Sequence, residues 1–316
     1  MDILKHVVPL VCLLTIHNKE TSFVKMYNFI ENDKHIHSIL INQTKSWWGK
    51  NIDSIIIKKF INIYIKYMET DTDTNQIIRI IKELFMENIN NSKELGILVD
   101  KYFIPQELEK KNNAEVSTPH KLRQEMLDKI PLEFWEKPHK VLEPCCGKGG
   151  FVVDIIDRFM VGMKDEEPND EKRYKMIVEK CLYWCDINPT NIFICKLLID
   201  PHEQYKLNYY EGDTLKLNIK GKWNLDSFDA IIGNPPYENC NATGDNKLYL
   251  EFIKKSITIL NHSKYLLFIV PINIKNYITN QDRNRSCISQ FMKVKYLSFN
   301  TSNVYFPLHE TIIYCC

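Results

Sequence analysis

The sequence predicts an α/β protein: a doubly wound sheet of seven strands, preceded by a helical extension. Three observations lead to this fold class. From about residue 114 onward, short apolar runs alternate with stretches of helical periodicity. Successive apolar runs end in polar residues, as strands do around a ligand site in such a sheet. Residues 1–113 show only apolar stripes at helical spacing, which sets an extension at 1–113 apart from an α/β domain at 114–316.

The composition is that of an ordinary globular protein. Of the 316 residues, 44% are hydrophobic and 26% are charged, and the formal net charge is +1. A charge this small does not attract nucleic acid over a distance. Any nucleic-acid contact therefore requires a local basic patch, and the densest one runs from Lys275 to Lys295.

The cysteines and the first apolar segment bear on the compartment. Ten cysteines occur without a Cys-x-x-Cys pair, which predicts reduced thiols in an intracellular protein and no metal site. No apolar stretch is long enough to span a membrane. Residues 7–16 are apolar but no small-residue cleavage site comes after them, so a buried helix is favoured over a signal peptide.

The α/β domain opens with the run Ser117-Thr118-Pro119-His120. A hydroxyl residue followed by proline predicts a helix with a hydroxyl N-cap and proline in the first turn. Leu122, Met126 and Leu127 fall on one face of that helix. By itself this pattern is an ordinary capped helix, and only the motifs further along the chain give it a functional meaning.

The first strand of the domain ends in an acid and leads into a glycine-rich turn. Glu143 closes the strand, Gly147 and Gly149 lie in the turn, and an apolar helix comes next. The glycines allow the backbone to approach a ligand closely. The acid would repel a pyrophosphate and favour a cationic ligand. A phosphate loop is excluded because the turn lacks a Gly-Lys-Ser/Thr sequence.

Two further strands also end in acids. A charged run at 163–180, which we interpret as a solvated insertion, precedes the strand at 182–186. Asp186 ends that strand, where an acid can accept from both ribose hydroxyls of an adenosine. After a helix at 190–199 and a third strand, Asp213 can accept from an adenine amine. Single acids at the ends of strands are common, so the prediction of a ligand site rests on finding three of them at successive strand ends.

The most informative stretch comes after the fourth strand, Ala230–Ile232, and reads Gly233-Asn234-Pro235-Pro236-Tyr237. Two prolines remove two backbone donors and stiffen the chain, which leaves rigid carbonyl acceptors. Asn234 adds a side-chain acceptor and Tyr237 a flat face. Rigid acceptors beside an aromatic face, at the C-terminal end of a strand, suit a planar ligand that carries an NH2 group.

The rest of the chain completes the sheet. A polar loop precedes a helix at 248–260 and a buried strand at 265–271. Two more strand signals, at 294–299 and 311–315, form a final strand pair around the segment 304–307.

From about Thr118 to the end, the chain resembles the catalytic domain of gamma-type, S-adenosylmethionine-dependent DNA adenine-N6 methyltransferases. The order of motifs carries the resemblance: the Thr-Pro helix, the cofactor turn at 141–151, then Asn-Pro-Pro-Tyr. The turn is more similar to this family than to glutamine or ribosomal-RNA methyltransferases. The resemblance implies a Rossmann-like, seven-stranded methyltransferase sheet, and it does not extend to residues 1–113. We expect no target-recognition domain after Cys316, so that a partner or the helical extension would supply any specificity for a DNA sequence.

The resemblance also implies roles for individual residues. The catalytic residues would be Asn234, Pro235, Pro236 and Tyr237. The residues around the methionine part of the cofactor would be Thr118, Pro119, Glu143, Cys145, Gly147 and Gly149. The ribose would lie at Asp186, and the cofactor-binding set would further include Ile187, Asp213, Thr214 and Asn234, with Asp213 and Thr214 at the adenine. Tyr237 and Phe306 would stack on the target base, with Tyr305 as the neighbouring alternative to Phe306.

The implied chemistry is direct methyl transfer to N6 of a base flipped out of the duplex. The N6 lone pair is delocalised into the ring, so acceptors aimed at the amine hydrogens would free it for in-line attack. No metal and no covalent intermediate are required. Two alternatives remain: the same chemistry on RNA adenine or a protein glutamine amide, or a non-catalytic binding subunit with the methyltransferase fold.

The resemblance also implies partners and location. The partner would be nucleic acid, DNA foremost, together with a possible separate specificity subunit as in restriction-modification systems. No membrane association is expected, and the location would be the cytoplasm, or the host cytoplasm for a viral protein.

Overall fold

A computed structural model of the chain describes almost all of the α/β domain up to residue 271. The described residues are 118–200, 204–237, 247–271, 274, 296–298 and 310–315, with the isolated positions 32, 34, 87, 88, 91, 94 and 97. Several predicted features lie outside them: nearly all of the extension 1–113, the basic segment 275–295, Tyr305 and Phe306.

Within the described residues, one sheet contains seven strands in the order β3-β2-β1-β4-β5-β7-β6. The strands are β1 (Val141–Glu143), β2 (Leu182–Asp186), β3 (Asn208–Glu211), β4 (Phe228–Gly233), β5 (Leu260–Pro271), β6 (Tyr296–Ser298) and β7 (Glu310–Cys315). Strands β1 to β5 pair in parallel, whereas β7 pairs antiparallel with both β5 and β6. The prediction of a mostly parallel α/β sheet is confirmed.

Helices connect these strands. They are α1 (His120–Leu127), α2 (Leu132–Trp135), α3 (Gly150–Gly162), α4 (Asp170–Met176), α5 (Pro189–Ile199), α6 (Ile219–Trp223) and α7 (Leu248–Ile259). A π-helical turn comes after α4 at Ile177–Cys181, and a short 3₁₀ turn lies at Thr214–Lys216. Among the helices in the described part of the chain, none combines the length and apolarity needed to cross a bilayer.

The core lies on both faces of the sheet because alternate side chains of a strand point to opposite faces. On β1, Val141 belongs to one hydrophobic cluster and Leu142 to the other. On β4, Ile232 and Ile231 divide in the same way. Strands buried on both faces read as continuous apolar runs, which is why the sequence locates them well.

Two local predictions are wrong. The structure places Pro119 at the N-cap of α1 with no side-chain cap, and the hydroxyl of Thr118, one residue earlier, bonds Asn234 instead. The segment 163–180 is more than a solvated insertion, since it contains α4 and buries Ile177 and Val178. The thiols that the structure describes are free: Cys145, Cys146, Cys181, Cys185 and Cys195.

Candidate active site

The parallel strands bring the predicted polar residues to one edge of the sheet. Glu143 is the last residue of β1, Asp186 the last of β2, and Asn234 comes directly after the last residue of β4. Strand β1 lies between β2 and β4, so its acid stands between the other two positions. Gly147 and Gly149 adopt positive φ angles of 51° and 89° in the turn after β1, a conformation that other residues rarely adopt.

Glu143 is a buried carboxyl with an unused oxygen. Its side chain is 1% exposed, and Oε1 accepts from the backbone N–H of Cys145 at 3.2 Å. Oε2 has no hydrogen-bond partner within the described residues. Burial raises the pKa of Glu143 to about 8, against which the Cys145 hydrogen bonds act in the opposite direction. A ligand cation would supply both the missing partner and the missing countercharge.

Gly233 makes room for this carboxyl. A Cβ atom built at position 233 would collide with Oε1 of Glu143. Any side chain there would therefore displace either the acid or the end of β4, which leads into Asn234. The glycine that precedes Asn-Pro-Pro-Tyr thus has a packing role.

Asp186 holds the glycine-rich turn against the end of β2. Its Oδ2 accepts from the N–H of Gly147 at 2.9 Å, and its Oδ1 accepts from the N–H of Asn188 at 2.7 Å. The Cys146 thiol also approaches Oδ2 at 4.0 Å, so both oxygens of this carboxylate have partners within the fold. Ile187 is 63% exposed beside it and presents an apolar surface.

Asp213 and Thr214 lie just after the end of β3. Asp213 caps the 3₁₀ turn by accepting from the N–H of Leu215, and its other oxygen lies 3.1 Å from Nζ of Lys216. The hydroxyl of Thr214 is buried and donates to the carbonyl of Pro144 at 2.7 Å. Thr214 therefore ties this loop to the end of β1, and its contact with a cofactor adenine stays a prediction.

The side chain of Asn234 is held at both ends. Its Nδ2 donates to Oγ1 of Thr118 at 3.2 Å, and its Oδ1 accepts from the hydroxyl of Tyr237 at 3.2 Å. Pro235 is buried, whereas Pro236 and Tyr237 are partly exposed. The residue that begins the Thr-Pro motif thus contacts the Asn-Pro-Pro-Tyr motif, although 116 positions separate them.

A buried ion pair beside the site was not predicted from the sequence. Arg123 on α1 and Asp154 on α3 are each 1% exposed, and Nε lies 2.5 Å from Oδ2. The signal is present in the sequence, since each charge interrupts an apolar helical face. Such interruptions indicate a buried pair when two of opposite sign occur in neighbouring helices.

With this geometry in place, comparison with known proteins decides the family. The family model described as N-6 DNA Methylase matches residues 99–275, more than half of the chain. This chain belongs to the N-6 DNA methylase family. The match spans the Thr-Pro helix, the glycine-rich turn and the Asn-Pro-Pro-Tyr stretch of this family member.

Two curated relatives of this family member are named as methylases. The modification methylase CviBIII of Paramecium bursaria Chlorella virus NC1A is 27% identical over 180 residues, covering 53% of this chain and 40% of the relative. An uncharacterised adenine-specific methylase of Mycoplasma pneumoniae is 23% identical over 234 residues, covering 50% of this chain and 55% of the relative. The chain thus spans about half the length of the curated relatives it matches.

A solved structure has the same fold. The DrdV–DNA complex superposes with a TM-score of 0.56 at 13% identity, and the match covers 99% of this chain and 41% of DrdV. At this identity the likeness concerns the fold alone.

Proposed function

We propose that this chain transfers a methyl group from S-adenosylmethionine to the N6 amine of adenine in DNA. The observation that carries the proposal is the Asn234 amide, held at both ends beside the buried Glu143 carboxyl. Membership of the N-6 DNA methylase family and the likeness to CviBIII modification methylase support the choice of reaction and substrate. The proposed fold is the complete Rossmann-like methyltransferase sheet with a helical extension at 1–113 and the catalytic domain at 114–316.

The described residues fit S-adenosylmethionine at the edge of the sheet. We propose that Glu143 accepts the ligand's ammonium group, since its Oε2 lacks a partner among the described residues. The N-terminus of α3 carries partial positive charge and suits the ligand's carboxylate. We propose that Asp186 also accepts from the ribose hydroxyls, since a carboxylate oxygen can accept more than one hydrogen bond, and that the exposed Ile187 offers a surface for an adenine ring.

Further residues of the proposed cofactor site come from the resemblance. They are Thr118, Pro119, Cys145, Gly147, Gly149, Asp213 and Thr214. When bound, S-adenosylmethionine supplies an electrophilic methyl group on a sulfonium centre. Burial raises the pKa of the Cys145 thiol well above its usual value, so the protein has no thiolate nucleophile at that position.

Asn234 and Pro235 act on the target amine in this proposal. An amide oxygen can accept two hydrogen bonds, and Tyr237 uses one position on Oδ1. The second position, with the Pro235 carbonyl, would accept the two N6 hydrogens. Withdrawing those hydrogens from the plane of the ring localises the nitrogen lone pair, and fixed acceptors do this without reorganisation in the transition state.

The target base must leave the duplex to reach Asn234. Unstacking costs a few kcal/mol, which stacking on aromatic side chains offsets. We propose Tyr237 for one face of the base and Phe306 for the other. We also propose an intracellular protein that acts with a separate specificity subunit or through its own extension, since a net charge of +1 provides little attraction to DNA.

A methylation assay with tritiated S-adenosylmethionine tests the proposal. The wild-type chain and Asn234→Ala are incubated with DNA free of adenine methylation, with RNA and with a protein extract, and the products are resolved by nucleoside and amino-acid analysis. We expect N6-methyladenine in DNA for the wild-type chain and none for Asn234→Ala. Label only in RNA or in glutamine would replace DNA as the substrate, and cofactor binding without transfer to any class would favour a binding subunit.

Deletion of residues 1–113 tests the source of specificity. We expect the remaining domain to lose any preference among DNA sequences, because in this proposal the extension or a partner supplies the base-specific contacts. A deleted protein that still methylates one defined sequence would contradict this expectation.

A further inference from the structure

The ion pair of Arg123 and Asp154 is almost fully buried. Both side chains are 1% exposed, and they lie among apolar neighbours of α1 and α3 such as Leu122 and Val153. Replacing a buried ion pair by apolar residues of similar volume is often neutral or stabilising, because two charges must otherwise be desolvated. Stability alone therefore does not account for the pair of Arg123 and Asp154.

The contacts of Arg123 lead to Thr118. Besides Nε on Asp154, the Nη1 group donates to the backbone carbonyl of Thr118 at 2.5 Å. Gly150 leaves space for the guanidinium, since a Cβ there would lie 2.7 Å from Nη1. Among the described residues no side chain caps the N-terminus of α1, and Arg123 instead holds the residue just before the N-cap.

The hydroxyl of Thr118 in turn holds Asn234. Thr118 is 7% exposed, and its Oγ1 accepts from Nδ2 of Asn234 at 3.2 Å. An NH2 group held in this way keeps the amide oxygen at the opposite end of the side chain, where Tyr237 contacts it. A continuous series of contacts thus joins Asp154, through Arg123 and Thr118, to the amide of Asn234.

We propose that Thr118, Arg123 and Asp154 are positioning residues that orient the Asn234 amide for the target amine. The inference rests on the proposed function, because it assigns the orientation of the same amide. Both charged side chains also contact His120, and Arg123 reaches the amide through Thr118. The effect of Arg123 and Asp154 should therefore fall on the rate of transfer. A misplacement of about 1 Å in a reacting group can lower a rate by about 100-fold.

Two variants and one matched control separate positioning from stability. Thr118→Val removes the hydroxyl at nearly constant volume. Arg123→Leu with Asp154→Leu removes both charges together, so that neither is left buried alone. Arg173→Leu is the control: Arg173 is 2% exposed and also donates to a carboxylate, of Asp170, and to a backbone carbonyl, of Glu167.

Steady-state kinetics on DNA provide the first measurement. We expect kcat to fall by about tenfold or more in Thr118→Val and in the double variant. In the double variant, whose two positions lie outside the proposed cofactor site, KM and cofactor affinity should change little. Thr118→Ser should recover most of the rate. Arg173→Leu should lower the thermal midpoint without lowering kcat. A double variant with normal kcat, or a control with an equal loss of kcat, would overturn the proposal.

A second measurement does not depend on activity. The side-chain amide resonances of Asn234, assigned by their absence in Asn234→Ala, report the contact of Nδ2. We expect these resonances to move in Thr118→Val and in the double variant but not in Arg173→Leu. Unmoved resonances in a folded double variant would refute the positioning role. A wild-type chain that methylates nothing would refute the proposed function, and the resonances would still decide the positioning.

Discussion

Replacing Glu143 by glutamine tests the electrostatics of the proposed cofactor site. Burial raises the pKa of Glu143 from 4.5 to about 8, so about nine-tenths of the free protein carries a proton there at pH 7. One pKa unit corresponds to about 1.4 kcal/mol, so the surroundings of Glu143 disfavour its ionised form by a net of about 5 kcal/mol. Glutamine imitates the protonated form and should fold normally.

The sign of the effect differs between the free and the bound protein. In the free protein the folded pKa is raised, so the stability contributed by the neutral carboxyl is fully present below about pH 4.5. It is lost as the pH rises through about 8. A bound cation instead requires the ionised form. Cofactor affinity should therefore rise roughly tenfold between pH 6 and pH 7 and reach a maximum near pH 8, where the ligand's α-amino group loses its own proton.

Calorimetry in buffers of different ionisation enthalpy measures the coupled proton directly. At pH 7 we expect a net release of about 0.8 proton per cofactor in the wild-type chain, slightly less than the protonated fraction of Glu143 because the ligand amine takes up a small fraction. Glu143→Gln should bind more weakly, without proton release and without the rise between pH 6 and pH 7. Glu133→Gln, on the exposed surface of α2, is the control. Affinity independent of pH in the wild-type chain would refute the reasoning.

Three further predictions concern the remaining site residues. Asp186→Ala should weaken cofactor binding by about 1 to 3 kcal/mol, the cost of unmade bonds to a buried polar ligand, and unchanged affinity by calorimetry would remove Asp186 from the site. In turnover assays Asn234→Ala should abolish methyl transfer while cofactor affinity is nearly retained, and near-normal turnover of this variant would contradict the role of Asn234. In equilibrium binding assays Tyr237→Ala should weaken DNA binding more than cofactor binding. Neutralising Arg283 and Arg285 together should lower DNA affinity about equally for all sequences and reduce the slope of affinity against salt concentration. An unchanged slope would exclude the basic segment 275–295 as a phosphate contact.

The strands and the polar residues that end them could be located from the sequence alone. Apolar runs such as 230–232 are local signals, and a parallel sheet places the ends of its strands at one edge whatever the connections between them. The sequence alone could therefore predict that Glu143, Asp186 and Asn234 are neighbours. The family resemblance added roles to these residues but no contacts.

The way those residues are held depends on the packed fold. The hydroxyl of Thr118 suits an N-cap by local rules, yet it bonds Asn234, 116 positions away, and leaves the helix end to Pro119. The pairing of Arg123 with Asp154 and the raised pKa of Glu143 depend on burial by distant parts of the chain. Sequence patterns report which groups a segment contains. Partners and dielectric surroundings arise only when separate segments pack together, because hydrogen bonds and desolvation act over a few ångströms in space.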